Sequence, residues 1–344
     1  MMRTFSHLCR AYCRIAVREK TLGRTRLVMT LLARDEADII EANILFHLNH
    51  GVDFIVATDN HSTDGTTEIL EKYQKQGVLQ LIHEPSRVFD QAAWVNRMGR
   101  IAHEAHGADF LFHSDADEFW YPASGSLKRE LLARPQVDVL SAKVTNVVMR
   151  NKGGEEAFPQ DAVYAVTVPL AAQSKQDRLQ NLGQDAPSIL LYKHHNKVIY
   201  RLDKGYLPVI WGNHRIQASH DLPRFSRGSA HDIEIFHFPI RGFAQFVKRT
   251  INHGEGHENL RKTSVTNVEE QGQTNQRWFE IFREGKLLDE YLHLNLSDAQ
   301  AEAWLKKGVI RQDEQRCLDL REFLGRHVQG LPPHATGVHG AARS

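Results

Sequence analysis

The segment DFLFHSDADEFW, residues 109–120, ends an apolar run with Ser114, Asp115, Asp117 and Glu118 inside five positions. Carboxylates repel one another and resist desolvation, so such a cluster needs a cation or a solvated loop to hold it. Asp115 and Asp117, two residues apart at a strand end, can jointly contact a hard divalent ion, directly or through water. An ion such as Mg²⁺ or Mn²⁺ would in turn hold the oxygens of a diphosphate. A bare D-x-D is more often a solvated turn, but its place after a buried strand favours function. Two further polar stretches stand out. ARDEAD (33–38) carries an Arg–acid pair, Arg34 and Glu36, and DNHSTDGT (59–66) begins with Asp59, which could accept hydrogen bonds from a ribose or a base edge. Asp64 and Thr66 suit a helix N-cap better.

The elements that must position these residues follow from the apolar pattern. LVMTLL (27–32), DFIVAT (53–58), VLQLI (78–82) and DFLFH (109–113) read as strands buried on both faces. Between them run helices carrying Ile40, Ile44, Leu45 and Leu48, then TEILEKYQKQ, then Trp94, Met98, Ile101 and Ala105. Strand–helix alternation of this kind implies parallel pairing in a three-layer α/β sandwich, and ligands bind beyond the carboxyl ends of its strands. All the loops at those ends are polar. The second half is less regular: strands are expected in 137–150, HHNKVIYR and IEIFHFPIRGF, an insertion in 151–188, and helices from Gly242.

Composition narrows the class. The chain has 344 residues, 41% hydrophobic and 25% charged, with a net charge of +1, which gives no case for nucleic-acid binding. Cys9, Cys13 and Cys317 are too few for a disulfide scaffold and suit a reducing cytoplasm. No segment has the 18 or so apolar residues of a membrane span. The basic, amphipathic N-terminus (1–25) reads as a surface helix that could rest peripherally on the inner face of a membrane, and the last residues (331–344) as a disordered tail. In HGEGH (253–257), Glu255 is misplaced for the H-E-x-x-H of zinc hydrolases. Trp94 reads as core.

The combined motifs R-D-E after the first strand, D-N-H-S-T-D-G-T after the second and D-A-D-E-F after the fourth resemble a bacterial, family 2-like branch of the GT-A-fold glycosyltransferases, over about residues 27–122. The resemblance implies a GT-A-type sandwich with a mainly parallel, nucleotide-binding Rossmann-like half and a helical C-terminal region. Its expected boundaries are 26–122 for the nucleotide-sugar half, 123–240 for the acceptor half and 241–330 for the helices. It implies that Asp115 and Asp117 bind Mn²⁺ or Mg²⁺ and the diphosphate, and that Arg34, Glu36 and Asp59 hold the nucleoside. HFPIRGFAQFVKR resembles a further family segment, making His237 a candidate third metal ligand, since neutral imidazole suits Mn²⁺. A packed strand-end histidine is an equal reading. KVIYRLDKGYLPVIWGNH similarly offers Lys197, Arg201 and His214 to the donor pocket. Candidates for the base that activates the acceptor hydroxyl are Glu118, Asp232 and Glu234.

The activity implied is metal-dependent transfer of a sugar from a nucleotide-sugar donor to a glycan or lipid-linked glycan acceptor, with inversion, in surface glycan assembly. Two alternatives have their own signatures. A nucleotidyltransferase should show a Gly-rich basic loop after its first strand, which ARDEAD is not. A non-catalytic carbohydrate-binding protein of the same fold would not need intact Asp115 and Asp117.

Overall fold

The computed structural model describes residues 22–86, 90–171, 186–210, 214–217, 225–263, 273–312 and 314–328. Most of the basic N-terminal extension, the middle of the expected insertion and the expected tail lie outside these residues. The first half alternates as its apolar runs predict: β1 (Leu27–Ala33), α1 (Ile40–Asn49), β2 (Phe54–Asp59), α2 (Thr66–Lys75), β3 (Leu79–His83), α3 (Gln91–Glu104) and β4 (Phe110–Asp115). These strands lie in the order β3-β2-β1-β4, all parallel. β1 shows why its run is continuously apolar. Leu27, Met29 and Leu31 enter the core under α1, while Val28 packs on the opposite face with Val56, Met98 and Leu111. Gly51 and Gly77, at φ of 98° and 78°, turn the chain out of α1 and α2.

The second half adds β5 (Glu118–Pro122), α4 (Leu127–Leu132), β6 (Val139–Met149), β7 (Ala162–Ala165), β8 (Lys197–Arg201), β9 (Val209–Ile210), β10 (Arg215–Ile216) and β11 (Arg227–His237). The sheet continues from β4 as β8-β6-β11-β5, with β7 paired to β6. This order forces curvature. The three Cα steps from Asp115 to Glu118 reach at most about 11 Å, whereas four strand spacings laid flat take about 19 Å. The sheet therefore rolls until β5 returns beside β4, and the Ala116–Asp117 link is its seam.

Rolling gathers several strand ends at one edge. β8 runs antiparallel to β4, so its first residue, Lys197, stands where β4 finishes. β11 runs parallel to β6 and pairs His237 with Asn146, and β5 pairs Glu118 with His237.

The C-terminal part is helical: α5 (Phe243–Thr263), α6 (Gln273–Arg283), α7 (Leu287–Leu294), α8 (Asp298–Lys306) and α9 (Gln315–His327). Phe246, Trp278, Tyr291 and Leu294 form a separate core with Val148 and Tyr164. The first HGEGH glycine has a packing reason: a Cβ on Gly254 would sit 2.1 Å from the Phe279 ring. Helix α6 thus crosses α5 at a point where only glycine fits. Trp94 is buried in α3, as expected of a core residue. Among the described residues, no helix is long and apolar enough to cross a membrane.

Candidate functional site

Phe119 and Trp120 are fully buried and fix the acidic turn to the core. The turn's carboxylates meet fixed cations. Lys197, 0% exposed, places Nζ 2.7 Å from Asp115 Oδ2 and also bonds Glu118 Oε2. Burial acts to lower the lysine pKa, but Asp115 and then Glu118 hold it above its usual value, so it stays charged. Burial pushes Glu118 up to about 7 against the pull of Lys197. Asp115 keeps 35% of its side chain exposed, whereas Asp117 keeps 6% and Glu118 1%.

Asp117 Oδ2 lies 3.0 Å from Arg249 Nη1, 3.9 Å from Arg241 Nη1 and 3.4 Å from His237 Nε2. Burial acts to raise its carboxyl, yet His237, Arg249 and Arg241 hold it well below its usual value. The hydrogen bonds around His237 assign its tautomer. Asn146 Nδ2 donates to Leu190 O at 2.8 Å, which leaves Asn146 Oδ1 to accept from His237 Nδ1 at 2.9 Å. Nε2 then faces the Asp117 carboxylate, a contact satisfied either by a second ring proton donated to Asp117 or by a divalent cation held between the two. Adjacent ligands on an octahedral ion with bonds near 2.1 Å stand roughly 3 Å apart, close to the observed 3.4 Å.

Among the described residues, no three His, Cys, Asp or Glu side chains converge into a complete metal cage. Asp117 and His237 nevertheless fit Mn²⁺ or Mg²⁺, which commonly takes one or two protein ligands plus phosphate oxygens and water.

Beside this cluster a small cleft is lined by Arg34, Asp35, Glu36, Gln245, Arg249, Asn252 and His253. Asp35 adopts φ 56°, and its carboxylate accepts from Thr63 N at 2.7 Å and Asn252 Nδ2 at 2.7 Å, tying the first two loops to α5. Arg241, 0% exposed, bonds Asp38 Oδ2 at 2.6 Å and Glu36. Burial pushes Glu36 up to about 8 against Arg241. The Nε atoms of Arg34 and Arg249 are buried without hydrogen-bond partners, which leaves donors at the cleft suited to an anion.

Several expected site residues do other work. Asp59 is only 3% exposed, and its carboxylate accepts from Ser62 N, Ser62 Oγ and Thr67 Oγ1. Its carboxylate is engaged in closing its own loop. Arg201 ends β8 opposite Phe110, at the far edge of the sheet, with its guanidinium 4.4 Å from that ring centroid. Asp232 precedes the β11 residues that pair with β5, five residues before His237, and ion-pairs with Arg134. Glu234 bonds Thr145 and Arg316. Glu118 is sealed beneath the turn, accepting from Asp115 N and Lys197, and here it serves as a buried partner of both rather than as an open base. Lys197 does reach the site, but as counter-ion to the acids rather than as an open donor contact. Arg34, Glu36, Asp115, Asp117 and His237 stand together, and His214 is near enough to lower Asp115 slightly.

Arg249 and Asn252 were not singled out from the sequence. Their signal was the helical spacing of Gln245, Arg249 and Asn252 in HFPIRGFAQFVKRTIN, which puts all three on one face of α5.

A family match covers residues 30–201, half of the chain. The chain belongs to glycosyltransferase family 92. It is a glycosyltransferase, and the matched residues run from β1 through β8, past the parallel half; the family matched is 92, not the family 2-like branch that the motifs resemble. No curated protein matches. Similar solved structures include S. aureus TarS 1-349, at 15% identity over 83% of this chain and 92% of that one, TM-score 0.36. Another is a mannosyltransferase from Pyrobaculum calidifontis in complex with GDP-Man and Mn²⁺, at 15% identity over 87% and 84%, TM-score 0.37. A third is glucosyl-3-phosphoglycerate synthase from Mycobacterium tuberculosis, at 19% identity over 38% and 48%, TM-score 0.29. The family assignment rests on the family match, not on these likenesses.

Burial makes this family 92 chain acid-sensitive. His47, His113 and His253 are each pushed down from 6.5 to about 3 by burial. The unfolded chain takes up their protons below pH 6.5, so their stabilisation is present above that pH and lost as pH falls toward 3. Glu118 and Glu36 act oppositely: their contribution is full below about 4.5 and lost as pH rises through about 7 and 8. His214 is likewise pushed down to about 3 and burial lowers His194, His50, His106 and His257, so the histidines outweigh the two carboxyls and the chain takes up protons on unfolding between pH 4.5 and 6.5. The urea midpoint is expected to fall from pH 6.5 to pH 5. A midpoint that climbs over that interval would show that the carboxyls dominate.

Proposed function

We propose that this glycosyltransferase moves a sugar from a nucleotide-diphosphate sugar to an acceptor hydroxyl, with the diphosphate at the seam of the curled sheet. The observation that carries the reading is the convergence of the Asp117 carboxylate and His237 Nε2, beside the cleft that Arg34 and Arg249 line. Asp117 and His237 would hold Mn²⁺ or Mg²⁺, and a bound ion would supply Lewis-acid neutralisation of charge on the departing diphosphate. Arg249 stands between Asp117 and the cleft, where its guanidinium can stabilise the same charge by hydrogen bonding. Arg34 lines the cleft from β1 and orients the donor from the nucleoside side. Asp115, the more open of the two turn aspartates, faces the reacting sugar with its charge kept by Lys197.

Inversion at the anomeric carbon, a glycan or lipid-linked glycan acceptor and a place in surface glycan assembly are supported by the motif resemblance. The test is turnover of a panel of UDP-, GDP- and dTDP-sugars with Mn²⁺, Mg²⁺ or EDTA. Release of nucleoside diphosphate that needs the metal supports the reading. Equal turnover in EDTA rejects the metal, and binding of every donor without turnover rejects catalysis.

A further inference from the structure

The acidic turn is held by side chains from a helix that carries none of the site's charges. Asn43 and His47 lie one turn apart on α1 and are both 0% exposed. Asn43 Nδ2 is 2.8 Å from Glu118 O, 3.0 Å from Ala116 O and 3.4 Å from Asp115 O. His47 Nε2 accepts from Trp120 N at 3.3 Å, so its proton sits on Nδ1, which donates to Asn43 O at 2.8 Å and faces Asn43 Oδ1 at 3.2 Å. That contact fixes which way the Asn43 amide points: its oxygen toward the histidine and its NH₂ toward the turn. Two side chains thereby grip the backbone from residue 115 to residue 120. The remaining turn carbonyl, Asp117 O, accepts from Phe238 N at 2.9 Å.

We infer that Asn43, oriented by His47, is a positioning residue that sets the aim of Asp115 and Asp117. Neither side chain touches the carboxylates themselves, so the effect is transmitted through the backbone of the turn. Three carbonyls brought toward one NH₂ group leave the turn a single arrangement, and that arrangement sends Asp115 toward Lys197 and Asp117 toward His237. Helix α1 also begins at the cleft, since Ile39 N and Ile40 N both donate to Glu36 O. One short helix therefore ties the loop lining the cleft to the acids beside it. A polar pair at i,i+4 on the apolar face of a buried helix is costly without a purpose. Here every one of its hydrogen-bonding groups is directed at the turn or at its own pair.

The inference rests on the proposed donor site at the acidic turn, and two readouts separate them. Asn43→Ala, His47→Gln and wild type are compared in hydrogen exchange of residues 114–121 and in steady-state turnover of UDP-glucose, UDP-GlcNAc or GDP-mannose with Mn²⁺. In Asn43→Ala, exchange over 114–121 is expected to speed at least about tenfold while residues 27–33 are unaffected. The kcat should fall about a hundredfold, the cost of a misplaced catalytic group, with KM within about threefold. His47→Gln, whose amide can still accept from Trp120 N and donate to Asn43, should stay within about threefold of wild type.

Unchanged exchange over 114–121 overturns the inference, as does a kcat that falls only in proportion to the unfolded fraction. If the alanine variant does not fold, Asn43→Ser, which keeps a hydroxyl donor, carries the same readouts. Failure of the donor-site reading looks different: Asp117→Asn would then turn over like wild type even though Asn43→Ala loosens the turn.

Discussion

Asp117→Asn is expected to lower turnover about a thousandfold while the protein remains folded. The neutral amide keeps the volume, but it removes the charge on which Arg249, Arg241 and His237 converge. Loss of a carboxylate ligand weakens the hold on a divalent ion, and the several kcal/mol of charge stabilisation that such an ion supplies correspond to about that loss in rate. The fall should appear in kcat more than in KM for the donor, because Arg34 and the cleft are untouched. Mn²⁺ titration should show a weakened metal dependence in the variant. Wild-type kcat in Asp117→Asn would remove Asp117 from the chemistry and the metal with it.

Lys197→Met is expected to be the most destabilising single change at the site. Its ammonium is the shared counter-charge of Asp115 and Glu118, and methionine keeps the stem while deleting that charge. Breaking a buried pair from one side costs about 3–5 kcal/mol, because the remaining charge is left uncompensated. The sign of the pH dependence follows. Without Lys197 the Glu118 carboxyl, already raised to about 7, rises further, so the folded chain prefers it protonated. The loss should therefore be largest near pH 8 and smaller near pH 5.5. Lys197→Met/Glu118→Gln should recover much of it, and the double-mutant cycle in urea midpoints measures the coupling. Equal stability of Lys197→Met and wild type at pH 8 would contradict a buried ion triad.

The parallel half was legible because β1, β2 and β4 are buried on both faces and each helix has an apolar stripe. Leu27 to Leu32 and Phe110 to Phe112 could be little else. The convergence of Asp115, Asp117 and His237 was readable from motif resemblance, and Lys197 with it, but Arg249 and the pairing of each cation with its acid were not. Lys197, Arg249 and Arg241 arrive from β8, α5 and the β11–α5 link, 79 or more residues away in sequence. Only the roll of the sheet brings them in, and no local pattern encodes it.

Asp59 and Glu118 mislead for a shared reason. A carboxylate at the end of a strand can bind a ligand or stitch the loop beneath it, and residue type does not separate the two. Ser62 and Thr67 around Asp59 decide it only in three dimensions. Asn43 and His47 did leave a trace, a polar pair inside the helix stripe of Ile40 and Ile44, but the stripe draws the eye first.

The two-residue seam has a mechanical consequence. β4 belongs to the parallel half, while β5 is bonded to β11 on the far side of the roll. Ala116 and Asp117 are thus the covalent link between two walls that are also clamped together by Asn43, His47 and Lys197. Any breathing of one wall against the other, such as an acceptor wedging in beside β11, must twist the peptide groups that carry Asp115 and Asp117. The bite of the two acids then becomes a gauge of how tightly the walls are closed.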